Sequence, residues 1–159
     1  MRVVLAGLPP PRPSWGRRIR RAALLGLGRL ARRRGELCVV LVSDRDIRRL
    51  NRRFLGKDCL TDVLAFPYAA ASEGFQGPPR AAGVASGEAA RPPFGDIYIA
   101  FGVARRQARE LGHPLLEELL TLAAHGALHL AGYDDHAPAR RRVMFARQDR
   151  IVRGLLGGR

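Results

Sequence analysis

The sequence has almost no lysine, only two cysteines, and little aromatic character, with Phe, Trp and Tyr making up 6% of 159 residues. Lys57 is the single lysine, so arginine supplies all the rest of the 28 basic side chains. Cys38 and Cys59 are far apart and form no Cys-x-x-Cys pair. They have no disulfide partner and are expected to be reduced thiols that serve packing, as in a cytoplasmic protein. No run reaches the ~18 apolar residues that a membrane span needs. The opening run Val3 to Leu8, followed by Pro9-Pro10-Pro11, is too short for a secretory signal with its cleavage site. The chain therefore reads as cytoplasmic, with no membrane partner. Acid is also missing locally: residues 1–35 hold ten arginines and no Asp or Glu.

The charge that is present is strongly one-sided, with 14 acidic residues against 28 basic ones and a net charge of +14. A preference for arginine over lysine explains the choice of base but not the excess of it. Such an excess, concentrated at one end, suits a polyanionic partner, and nucleic acid comes first. The apolar content of 47% is ordinary for a soluble globular protein, and the length suits one domain with its own core.

Periodicity and turn residues divide the chain. Arg2 to Leu8 reads as a strand. Ser14 is the expected N-cap of a helix that carries Trp15, Ile19, Ala23, Leu27 and Leu30 on one face and ends at Gly35. Leu37 to Val42 reads as a central strand, and Ser43 or Asp44 as the cap of a short helix stopped by Gly56. Thr61 to Phe66 reads as a second core strand ended by Pro67. Residues 68–94 are rich in Ala, Gly, Pro and Ser without periodicity, and read as a flexible surface insertion. Gly95 to Ala100 returns to strand, Val103 to Leu111 to helix. Pro114 then opens a helix that is apolar nearly all round and runs into His125 and His129, so it should be buried. A last helix follows Pro138. Four strands with helices between them predict a single α+β domain over 1–159, a small mixed sheet packed with helices.

Three of the four histidines fall in one window, His125 to His136. His125 and His129 are four apart, hence on one helical face, which suits a two-imidazole grip on zinc. Gly132 can end the helix in a left-handed conformation and bring Asp135 or His136 round as third ligand. A fourth position stays open for water, whose pKa zinc lowers towards ~7.

The window resembles the signature of the YbeY family of bacterial rRNA maturation factors, His-Gly-x-Leu-His-Leu-x-Gly-Tyr-Asp-His, which His125 to Asp134 follow residue for residue. Thr61 to Pro67 and Gly95 to Ile97 resemble further blocks of that family. The resemblance implies a zincin-like helix and Gly turn, one Zn2+ per chain and cleavage of single-stranded RNA. It also implies work on the 3′ end of 16S rRNA and in ribosome quality control, with the small ribosomal subunit as partner. There are three departures. Asp135 stands where the family has its third histidine, and His136 comes one residue late. Leu55 stands where many members have an arginine, so Arg52 or Arg53 would have to supply a phosphate contact. The insertion is longer than usual.

Two other readings compete. A metalloprotease of the zincin type needs a glutamate base after the first histidine, and Gly126 cannot take a proton. An RNA-binding assembly factor with a structural zinc and no turnover needs no base at all. Asp62, Asp96 and Glu118 are the candidate bases, each with a bland explanation in turn chemistry, backbone capping or the charge preference of a helix start.

Overall fold

The two most buried strands, Glu36–Val42 and Pro93–Ala100, take the middle of the sheet, where both faces are covered. In the computed structural model, residues 1–10, 12–68 and 92–157 are described. Strands β1 (Arg2–Gly7), β2 (Glu36–Val42), β3 (Val63–Pro67) and β4 (Pro93–Ala100) are ordered β1-β2-β4-β3. β2 pairs in parallel with β1 and β4, while β3 runs antiparallel to β4. The sheet is mixed and four-stranded, and the fold is α+β, as expected. β3 is an edge strand rather than a core one, which is why Pro67 is tolerated as its last residue.

Side-chain alternation splits the core between the two faces of the sheet. Leu37, Val39, Leu41, Ile97 and Ile99 point to a layer made by α1 (Pro13–Leu27) and α4 (Leu115–Leu130). Cys38, Val40, Leu64, Phe66 and Tyr98 point the other way, towards Ile47 and Phe54 of α2 (Asp44–Leu55). Helix α3 (Phe101–Leu111) follows β4, and α5 (Pro138–Gly157) packs against α4 and α1. α4 is buried almost throughout: Leu119, Leu120, Ala123, Ala124, Ala127 and Leu128 have no solvent exposure. Each such leucine contributes about 1.5–3 kcal/mol.

Two glycines let α4 come close to its neighbours. A Cβ on Gly26 of α1 would lie 2.7 Å from Ala127 Cβ and 2.8 Å from the Ala124 carbonyl oxygen. One on Gly126 would lie 2.7 Å from Ile97 Cγ2. Gly126, which rules out the protease's base, is therefore a point of close approach between α4 and the sheet.

The first helix departs from expectation at both ends. It starts at Pro13 with Arg12 as N-cap and no side-chain cap, because proline at the first turn needs no N–H partner and Ser14 already lies inside. It stops at Leu27 rather than near Gly35, because Gly28 adopts φ 56°, and the chain continues as a 3-10 turn, Gly28–Arg32. Ser43 caps α2 as expected, its hydroxyl accepting from the Asp46 N–H, and Gly56 ends it in the left-handed region. The expected insertion 68–94 is narrower than its limits. The Tyr68 N–H donates to the Phe94 carbonyl, and β4 already begins at Pro93; its remaining residues, 69–91, lie outside the described ones. Cys38 and Cys59 are free thiols. Among the described residues no helix is long and apolar enough to cross a membrane.

Candidate metal centre

α4 carries His125 and His129 in its last two turns and then ends in a Schellman motif. The Tyr133 N–H donates to the Leu128 carbonyl at 3.0 Å and the Gly132 N–H to the His129 carbonyl at 2.9 Å. Gly132 has φ 91°, a conformation that a side chain would strain, and it reverses the chain towards the histidines. The loop beyond is fixed by Asp134. Its carboxylate accepts from the His136 backbone N–H at 2.9 Å, contacts His136 Nδ1, and accepts from Arg140 at 3.1 Å. Those bonds, the His136 backbone N–H first, hold the Asp134 carboxyl well below the usual carboxylate range. Arg141 donates to the Asp135 carbonyl at 2.9 Å and ties the same loop to α5.

The result is a three-sided cluster of His125, His129 and Asp135. The two Nε2 atoms are 3.0 Å apart, and each lies 3.9 Å from Asp135 Oδ2. Hydrogen bonding at the far side of each ring explains why these atoms are available. His129 Nδ1 donates to the Tyr133 carbonyl at 3.2 Å, an acceptor that fixes the tautomer and leaves Nε2 with its lone pair. His125 Nδ1 faces Gln148 Oε1 at 2.9 Å and does the same. Two lone pairs then face one another beside a carboxylate, an arrangement that a cation stabilises. Donors around a tetrahedral zinc are about 3.3 Å apart for bonds of about 2.0–2.1 Å. The cluster brackets that spacing, so the residues present fit the ion. Burial first, and then the neighbouring His125 ring, lower the pKa of His129 below its ordinary 6.5 and keep it neutral, as a metal ligand must be.

His136 is not part of this cluster. Its side chain is 89% exposed and its Nδ1 is held by Asp134. Of the two candidates for third ligand, the structure brings Asp135 to the histidine pair. Gln148 and Asp134 are site residues that sequence reasoning missed. Gln148 did leave a signal: Met144, Gln148 and Val152 form the buried stripe of α5 at i, i+4, i+8, and a polar side chain in such a stripe needs a partner.

The other candidates lie elsewhere. Asp62 accepts from the Val63 N–H at 2.7 Å and from Gln107 Nε2 at 3.0 Å, which is turn chemistry. Asp96 is on the α2 face of β4, where it accepts from the hydroxyls of Tyr68 and Tyr98 at 3.0 and 3.1 Å. Glu118 is buried at the start of α4 and paired with His113 Nε2 at 3.0 Å; burial raises its pKa and His113 opposes the rise. Arg52 and Arg53 occupy the last turn of α2, on the sheet face opposite α4, where Arg53 lies over the Phe54 ring.

A family model described as Endoribonuclease YbeY matches residues 18–156. The chain belongs to the endoribonuclease YbeY family. A relative of that name from Elusimicrobium minutum (strain Pei191) is 37% identical over 126 residues, 79% of this chain and 78% of the relative. Another, from Anaeromyxobacter sp. (strain Fw109-5), is 40% identical over 159 residues, covering 99% and 74%. The fold is similar to the solution structure of a Thermotoga maritima protein, with TM-score 0.61 and 26% identity over 98% of this chain and 89% of that one. Leu55 is half exposed on α2.

Proposed function

We propose that this chain is a metal-dependent endoribonuclease that cuts single-stranded RNA, with one Zn2+ held by His125, His129 and Asp135. The observation that carries the reading is the convergence of two imidazole lone pairs and a carboxylate in a chain of net charge +14. Zinc supplies Lewis acidity towards a phosphoryl oxygen and makes water a nucleophile near neutral pH. The chain's own residues do the rest. Gln148 and the Tyr133 carbonyl orient the two rings, Asp134 and Arg141 hold the loop that presents Asp135, and the arginine-rich surface draws the RNA phosphates. Family membership supports RNA as the substrate class, and extends the reading to 16S rRNA 3′-end maturation and ribosome quality control in the cytoplasm, on the small ribosomal subunit.

One observation favours a second reading, an RNA-binding assembly factor whose zinc is structural. Asp62, Asp96 and Glu118 are all engaged away from the cluster, so none of them is placed as a general base. Zinc content and cleavage of a single-stranded RNA, measured for the parent and for His129→Ala, separate the two. The nuclease reading expects stoichiometric zinc and cleavage in the parent, both lost in the variant. Stoichiometric zinc with no cleavage at enzyme excess leaves only the assembly role. Zinc-dependent cleavage of casein would overturn the argument from Gly126.

A further inference from the structure

Between the 3-10 turn after α1 and the end of α4 lies a cavity of about 350 Å³, whose wall includes Gly28, Arg29, Ala131, Tyr133 and Arg147. Among the described residues no acidic one lines it. Arg147, on α5, lays its guanidinium over the Tyr133 ring at 5.7 Å, and its Nε is buried with no acceptor among the described residues. Gly28 keeps the place open: a Cβ there would be 3.0 Å from Arg147 Nη2, and φ 56° disfavours any side chain. Tyr133 also connects this cavity to the metal cluster, since its carbonyl holds His129 Nδ1 at 3.2 Å.

We propose that the cavity walled by Arg29, Tyr133 and Arg147 is a phosphate subsite that holds the RNA strand beside the His125–His129–Asp135 cluster. An anion there takes its charge contacts from the guanidinium groups of Arg147 and Arg29, which wall the cavity. The tyrosine ring gives an adjacent nucleotide a face to stack on. The inference rests on RNA being the substrate.

The test uses the full chain and a short 2′-O-methyl single strand, which keeps every phosphate. Removing one phosphate contact should lower the slope of log affinity against log salt by about 0.7, and so weaken binding about 5-fold at 0.1 M salt. Arg147→Gln and Arg29→Gln should each show this, Arg147→Lys less, and Arg153→Gln, at an exposed arginine outside the cavity, should not. Inorganic phosphate should also shift the Arg147 Nε–H resonance in the parent. Unchanged affinity and slope in Arg147→Gln, with RNA still bound and cut by the parent, overturns the subsite and leaves the nuclease reading intact. A phosphate shift without any effect on the strand shows a free-anion site and overturns it too. A parent that neither binds nor cuts RNA removes both the reading and the subsite.

Discussion

The two faces of the sheet are built on different principles. On the α4 face, close packing depends on the absence of side chains. Gly26 and Gly126 allow α4 to approach α1 and β4, and alanines fill the seam. On the α2 face, contacts are made by large or polar groups. Phe54, Phe66 and Tyr98 meet edge to face at 5.6 and 5.9 Å, Asp96 joins two tyrosine hydroxyls, and Asp44 caps α3 through the Val103 N–H. Asp96, the candidate carboxylate with the deepest burial, belongs to the second face, but the histidines belong to the first. Rigid seating of a helix, rather than nearness of carboxylates, is what positions His125 and His129.

Glycine substitutions should break that comparison most strongly. Gly26→Ala drives a Cβ into the Ala124 carbonyl and Ala127, neither of which can move without shifting a helix. Overpacking should cost about 1–3 kcal/mol in denaturant unfolding and displace α4 enough to weaken zinc binding. For Gly102→Ala the atoms nearest the new Cβ are those of the Asp44 carboxylate, the end of a side chain. It should cost about 1 kcal/mol through the lost cap and leave zinc affinity unchanged. Equal effects of the two variants on zinc would refute the distinction between the faces.

Next in size is the support behind the first ligand. Gln148→Leu removes the acceptor at His125 Nδ1 while keeping the volume of the buried stripe. Zinc affinity should fall about 10–100-fold, measured by competition with a chromogenic chelator, with the denaturation midpoint of the metal-depleted protein little changed. Tyr98→Phe on the opposite face should have no effect on zinc.

The folded pKa of His129 lies below the unfolded one, so the unfolded chain takes up its proton first as pH falls. The contribution of neutral His129 is therefore fully present above pH 6.5 and is lost below it, down through the folded pKa. In metal-depleted protein the unfolding midpoint should decline over that window more steeply for the parent than for His129→Gln. Glu118, whose carboxyl pKa is raised by burial, is common to both proteins and cancels in the difference. Parallel curves would mean that His129 is not desolvated.

What could be read in advance was local. The pair at i, i+4, the left-handed Gly132, and the caps Ser43 and Gly56 each depend on a few adjacent residues, and all appear where their chemistry places them. The sheet's edges were harder, because Thr61 to Phe66 is as apolar as a central strand and only pairing reveals that β3 has one neighbour. The partner of His125 was invisible for another reason. Gln148 is 23 residues away, and only the packing of α5 on α4 brings the two together. Gly35 was read as the stop of the first helix, and Gly28, at φ 56° beside the Arg147 guanidinium, is the one that is used.

The smallest expected effect, that of His136→Ala, sharpens the site most. Asp135 and His136 are neighbours with similar capacity for zinc, and the loop separates them. Asp134 holds the His136 backbone and ring away from the cluster, while Asp135 Oδ2 stays 3.9 Å from both histidines. Asp135→Ala should therefore lower zinc affinity about 10-fold or more, whereas His136→Ala should change it less than about 2-fold. A third variant, Asp134→Ala, tests the cause. It frees His136 and the loop together, so it should weaken zinc binding less than Asp135→Ala and more than His136→Ala. A larger loss in His136→Ala than in Asp135→Ala would show that the loop re-forms around the ion with the imidazole turned inward.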